Sequence, residues 1–123
     1  MKIEEIRSFC LAKPGTTAEH PFGPDTLVLK VMNKMYALTG ETPQPEFINL
    51  KGDLEDNLAF REQFEGVKPG YHMNKEHWNS VYFGSDVPEG LIREMINDSY
   101  DLIVESLPKK ARDQLKLIRP ASS

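Results

Sequence analysis

Thr26-Leu-Val-Leu-Lys-Val-Met-Asn-Lys-Met-Tyr-Ala-Leu-Thr39 decides the fold. Leu27, Leu29 and Val31 alternate with other residues, the period of a strand with one buried face. Asn33-Lys34 follows as a tight turn, since Asn tolerates the positive φ that short hairpins need. Met35 to Thr39 then runs back as a second strand. The first long-range element of the chain is therefore an antiparallel hairpin.

Toward the N-terminus, Thr16 to Asp25 reads as a loop rich in Pro and Gly. Residues 2–13 read as a helix: Ile3, Ile6 and Cys10 fall at i, i+3 and i+7, Phe9 widens the stripe, and Pro14-Gly15 ends it. Toward the C-terminus, Gly40 to Pro45 is a loop and Glu46 to Lys51 a third strand. Ile48 and Leu50 point inward there, with Phe47, Asn49 and Lys51 on the other face. Asp53 suits an N-cap, with Glu55 and Asp56 in the first turn. The helix it starts runs to about Glu65 with Leu54, Leu58, Phe60 and Phe64 as its apolar side, and Gly66 stops it. After the Pro69-Gly70 turn, Tyr71 to Met73 and Trp78 to Phe83 read as short strands joined through Asn74 to His77. Asp86 and Glu89 have capping-box spacing around Pro88. The helix that follows carries Ile92, Met95, Ile96, Ile103 and Leu107 inward. Pro108 breaks it, and Lys109 to Leu117 forms a short terminal helix.

The order is α-β-β-β-α-β-β-α. Consecutive hairpins imply an antiparallel sheet with helices on one face, a two-layer α+β sandwich. The second sheet face is left to water, a partner or a second copy. Apolar residues expected on it, Val28, Tyr36 and Phe47, would supply an interface.

The bulk numbers agree with one domain over residues 1–123. Of the 123 residues 39% are hydrophobic and 28% charged, values of an ordinary globular chain. Cys10, the single cysteine, excludes an intramolecular disulfide, which fits a reducing compartment. It sits among apolar neighbours as a packed, inert thiol. The N-terminus lacks the pattern of a signal peptide, and no apolar run reaches the roughly 20 residues of a membrane span. A cytoplasmic location is expected. The net charge of −4 disfavours generic phosphate binding, but it is unevenly spread. Lys109, Lys110, Arg112, Lys116 and Arg119 face only Asp113 in residues 107–120, about +4 against about −8 elsewhere.

Three stretches stand out together: His20-Pro-Phe-Gly-Pro-Asp-Thr-Leu-Val-Leu-Lys-Val31 with Lys34-Met-Tyr-Ala37; Ile48-Asn-Leu-Lys51 with Pro69-Gly-Tyr-His-Met-Asn-Lys-Glu-His-Trp-Asn-Ser-Val81; and Ser106-Leu-Pro-Lys-Lys110. In these the chain resembles the MmcQ/YjbR family of small bacterial proteins, over nearly its whole length. The resemblance implies a fold like that of type III secretion chaperones. It also implies DNA binding, the label members commonly carry, through a proposed double-wing arrangement of hairpins.

Pro69 to Asn79 brings together residue types that stack on bases, hydrogen-bond their edges and contact phosphates. The same types anchor protein interfaces. They also finish cores and cap turns, Tyr71 and Trp78 in the first role and Asn74 in the second. The candidate DNA contacts are Lys68, His72, Asn74, Lys75, His77 and Trp78, with Lys109, Lys110 and Arg112 of the basic tail. The alternative is a protein-interaction module, homodimeric or with another partner. His72 and His77 are five apart rather than one helical turn apart and lack further ligands in sequence, so no metal or other cofactor is expected. No catalytic motif is present, and no enzyme is expected. A closed pocket lined by His20, His72 and His77 would revive that class.

Overall fold

The computed structural model describes residues 2–40 and 46–118. Of the loop expected over Gly40 to Pro45, Gly40 ends a strand and residues 41–45 lie outside the described residues, as does the basic residue Arg119. The elements are α1 (Ile3–Leu11), β1 (Thr16–Glu19), β2 (Val28–Val31), β3 (Lys34–Gly40), β4 (Phe47–Lys51), α2 (Leu54–Gln63), β5 (Val67–Pro69), β6 (Trp78–Tyr82), α3 (Glu89–Ser106) and α4 (Lys109–Ile118). The sheet has the order β1-β2-β3-β4-β6-β5 with every pairing antiparallel. It is the expected α+β sandwich with one strand more than the sequence suggested.

The central hairpin forms as expected, with its turn one residue earlier. Val31 pairs with Lys34, so Met32 and Asn33 form the turn, with φ of 48° and 67°, the positive pair that a type I′ turn requires. Leu29 pairs with Ala37 but Lys30 with Met35, which makes Tyr36 the extra residue of a β-bulge. The bulge turns Tyr36 and Ala37 together into the helix-side core, both fully buried. Tyr36 is thus not on the second face: its ring meets Tyr100 edge-on at 5.2 Å, and its hydroxyl bonds Thr16 at 2.9 Å.

The added strand β1 lies where a loop was expected. Thr16 and Ala18 turn toward the core while Thr17 and Glu19 stay outside. Thr and Ala carry too little apolar signal for the alternation to be seen. Glu19 pairs with Lys30 across the ladder at 3.0 Å.

The helix α3 is the spine of the second layer. Ile92, Met95, Ile96, Ile103 and the following Leu107 are buried as expected, with Ser99 and Tyr100 besides. Each fully buried aliphatic side chain contributes roughly 1.5–3 kcal/mol. α1 contributes Ile6 and Cys10, both at 0% exposure. Burial pushes the Cys10 thiol up to about 11, which keeps it protonated and unreactive.

α2 departs from its expected face. Asp53 does cap it, its Oδ1 accepting from the Asp56 amide at 2.9 Å. Phe60 and Phe64 pack against the core, but Leu54 and Leu58 are 43% and 47% exposed. The buried residue is Asn57, whose Nδ2 donates to Gly52 O and Glu76 O, each at 3.1 Å.

Asp86 does not cap α3, whose N-cap is Pro88 without a side-chain bond. Its carboxylate accepts instead from the Glu65 and Gly66 amides, both at 2.8 Å, tying the approach to β5. These bonds, Gly66 first, hold its carboxyl below the usual 3.8. A depressed carboxyl stabilises the fold above its unfolded pKa and loses that effect as pH falls through the folded value. The wild type is therefore expected to lose thermal stability as pH drops below about 4 more steeply than Asp86→Asn, measured by parallel pH-dependent melts.

Gly15 joins α1 to β1 at φ +72°, and a Cβ there would stand 2.6 Å from Leu115 Cδ1. Leu115 is the buried anchor of α4. Gly15→Ala is expected to cost about 1–2 kcal/mol from the left-handed backbone and to loosen α4. Urea unfolding and amide exchange in α4 check both.

Candidate nucleic-acid interface

The connection from β5 to β6 folds back over the sheet instead of continuing it. Tyr71 to Met73, expected as a strand, lie in this loop, and β5 is the preceding Val67–Pro69. Pro69 fits because β5 is an edge strand. Gly70 starts the reversal, its amide donating to Trp78 O at 2.9 Å. A Cβ on Gly70 would be 2.9 Å from Trp78 Cβ and 3.0 Å from Met73 Cβ, so the close approach requires glycine. His72 takes φ +58°. Asn74 Oδ1 then accepts from the Glu76 and His77 amides at 2.9 and 3.2 Å, closing the turn as expected for Asn.

Two main-chain bonds hold Tyr71 to the sheet. Its amide donates to Ser80 Oγ at 2.9 Å, and its carbonyl accepts from Asn49 Nδ2 at 3.1 Å. Ser80 Oγ in turn donates to Asn49 Oδ1. Asn49 and Ser80 are both fully buried and form a polar clasp between β4 and β6 on the face away from the helices. The Tyr71 ring meets Phe47 edge-on at 5.8 Å and His72 at 4.1 Å. Phe47 also contacts Tyr82 at 5.4 Å.

This loop and residues 20–26 wall a cavity of about 450 Å³ on that face. Phe47 and Val28, expected as exposed interface residues, are only 2% exposed, Phe47 as part of the cavity floor. Exposure shifts to the rim, where Phe22 is 73% and Tyr71 40% exposed. Of the three histidines only His72 lines the cavity. His20 Nδ1 bonds Thr26 O at 3.0 Å, and His77 is exposed. The three do not converge. Among the described residues no group of three or more His, Cys, Asp or Glu is disposed to hold a metal ion.

The candidate DNA contacts fall into two groups. Lys68 stands directly opposite Ser80 in the ladder, which puts it on the cavity face. His72, Asn74, Lys75 and His77 are exposed in the adjoining loop, and Trp78 is half-buried at its end. Lys75 is partly engaged, its Nζ donating to Gly70 O at 2.9 Å. Arg61 of α2 holds the loop from the other side, donating to Lys75 O and, at 2.6 Å, to Asn79 Oδ1. The second group, Lys109, Lys110 and Arg112, belongs to α4. Leu115 anchors that helix beside Gly15 and Val31, at the β1–β2 side of the sheet. Lys109 is paired there with Asp113 at 2.9 Å. Three strand spacings separate β2 from β6, roughly 14 Å, so the two groups form separate basic surfaces. Phe22, Asn49, Met73 and Ser80 joined the site without being foreseen. A buried-strand Asn between Ile48 and Leu50 was the one signal available.

The helix layer has the opposite character. A groove between α2 and α3 is rimmed by Asp53, Asp56, Asp98, Asp101 and Glu105 over an apolar floor that includes Leu50, Phe60 and Met95. The backbone bond from Asp56 holds the Asp53 carboxyl down, while the bond to Asp53 and its charge push Asp56 up. Burial, then Asp101 and Glu94, push Asp98 up. Five acids thus rim this groove, while Asp25 and Glu76 lie in the two loops that wall the cavity.

No helix among the described residues is long and apolar enough to cross a membrane. The family model YjbR matches residues 11–102. The chain is 43% identical over 117 residues to the uncharacterized protein YbdF of Escherichia coli O157:H7, covering 95% of this chain and 93% of that protein. It is 30% identical to YjbR of Escherichia coli K12, covering 94% and 98%. The crystal structure of the Deinococcus radiodurans protein DR2400, a DUF419 domain, superposes with a TM-score of 0.86 at 35% identity, over 94% of this chain and 88% of that one. By sequence and by fold together, the chain belongs to the YjbR family.

Proposed function

We propose that this protein binds DNA through the loop-covered face of its sheet, as a binding protein without a catalytic step. The observation that carries the reading is the gathering of aromatic and cationic side chains where the loop folds back over the sheet. The loop carrying Tyr71, His72 and Lys75 folds back beside Lys68 and the exposed Phe22, while the acidic groove occupies the helix layer. Aromatic rings with flanking cations suit a strand whose bases are available for stacking. Few cations are present, so binding should be weak. Two phosphate contacts, from Lys68 and Lys75, predict a salt slope of about −1.4 for single strands, or roughly a sevenfold loss of affinity from 50 to 200 mM salt. Fluorescence anisotropy of a labelled oligonucleotide tests this, with Lys68→Glu expected to weaken binding and flatten the slope. A salt-independent signal, or one untouched by Lys68→Glu, would count against the reading.

A second reading, a protein-interaction module, is favoured by exposed Leu54 and Leu58 on α2 beside the acidic groove. Its homodimeric form predicts association at high micromolar concentration in sedimentation, and a monomer there would remove that form.

A further inference from the structure

We infer that the cavity between the 20–26 and 70–77 loops is a binding site for one planar heteroaromatic ring. In the setting proposed above the ring is a single unstacked base of a DNA strand. The base as occupant rests on the DNA reading, whereas the capacity for a ring rests on the cavity alone.

The volume of about 450 Å³ lies within the roughly 300–1,000 Å³ of small-molecule pockets. Its walls are mostly apolar and include one aromatic ring fixed in place. Phe47 lies on Gly40, where a Cβ would be 2.7 Å from the ring, and is held by Tyr71 and Tyr82. A fixed ring is a preorganised surface for stacking. Met35 and Met73 also line the cavity. Their thioethers are polarizable, make favourable contacts with aromatic edges, and sit on flexible chains that adapt to a guest.

The polar groups are few and sit at the rim. Asn49 and Thr39 are spent on the protein, with bonds to Tyr71 O and Leu27 respectively. The Thr26 hydroxyl, the Tyr71 hydroxyl and the His72 imidazole make no hydrogen bond among the described residues, and Thr26, Tyr71 and His72 line the cavity. An alkyl guest would leave all three unused. A ring with nitrogen and oxygen atoms on its edge gives them partners while its faces meet Phe47 and the methionines. Phosphates of a bound strand would remain outside, next to Lys68 on the same face.

The test is an NMR titration of the full chain with thymidine and with deoxyadenosine, which carry a base and no phosphate. Saturable shifts are expected at the Met35 and Met73 methyls and at Tyr71. Met73→Trp, which fills the cavity with a protein ring, should weaken this binding at least about tenfold, the lower part of the 1–3 kcal/mol that one stacked base supplies. Tyr71→Ala should do the same, and serves if Met73→Trp disturbs the loop. Oligonucleotide binding is read in parallel. If the nucleosides give no saturable shift, or bind wild type and both variants alike, the inference is overturned. DNA binding that survives both substitutions would then leave the face reading standing without the ring site. If nucleosides bind and no oligonucleotide does, the ring site stands and the DNA reading falls.

Discussion

Ser99→Ala is expected to lower the unfolding free energy by about 3 kcal/mol, although it removes a single oxygen atom. Ser99 is fully buried in α3. Its Oγ donates to Tyr36 O at 2.6 Å and accepts from the Lys51 amide at 2.9 Å. Those two groups belong to β3 and β4, and one of them sits at the bulge. A bulge interrupts the ladder and leaves a backbone group without its usual partner. α3 supplies the partner from above the sheet. Truncation leaves a buried carbonyl unsatisfied, at roughly 1–3 kcal/mol, and takes from a part-buried amide a bond worth roughly 1 kcal/mol. Urea unfolding should show a lower midpoint with an unchanged slope. A loss under about 1 kcal/mol would mean that the bulge finds its partners without α3.

Asn57→Ala should cost about 2 kcal/mol, the net worth of two hydrogen bonds at roughly 1 kcal/mol each. The two bonds join α2 to the end of β4 and to the β5–β6 loop, so amide exchange in residues 74–77 should quicken beyond the global effect. Leu58→Ala on the same helix is the contrast. Leu58 is 47% exposed, and its truncation is expected to fall within about 0.5 kcal/mol. If Leu58→Ala proves the more costly of the two, α2 buries its leucine face and not Asn57.

That pair shows where the sequence could and could not be read. In α3 the burial follows apolar periodicity, so the stripe from Ile92 to Ile103 is visible directly. In α2 two hydrogen bonds to loop carbonyls turn Asn57 inward and leave Leu54 and Leu58 outside. Periodicity carries no trace of such bonds. The hairpin of β2 and β3 was legible from its period of two. The bulge at Tyr36 was not, because an inserted residue reverses the alternation after it. Tyr71-His-Met73 has the composition of a strand, yet the close packing at Gly70 and the positive φ of His72 bend it into a loop. Pro69 reads as part of a Pro69-Gly70 turn, yet Val67–Pro69 pairs as β5 because an edge strand needs fewer donors.

The site was legible only in part for the same reason. Pro69 to Asn79 is notable by its residue types; Tyr71 to His77 lie in the loop beside Lys68, while Asn79 turns to α2. Phe22, Met35, Phe47 and Met73 come from four separate segments, and only the sheet register brings them together. The α4 cations stand with residues 68–78 among the candidate contacts because charge is visible in sequence, whereas the strand spacings between β2 and β6 are not.

The most direct test of the proposed surface is a backbone amide shift map with single-stranded DNA at low salt. Binding through the loop-covered face should concentrate the shifts in residues 68–80, in residues 20–26 and along β4, and raising the salt should reverse them. Shifts confined to α4, or to the acidic groove between α2 and α3, would contradict it. So would the absence of any saturable change.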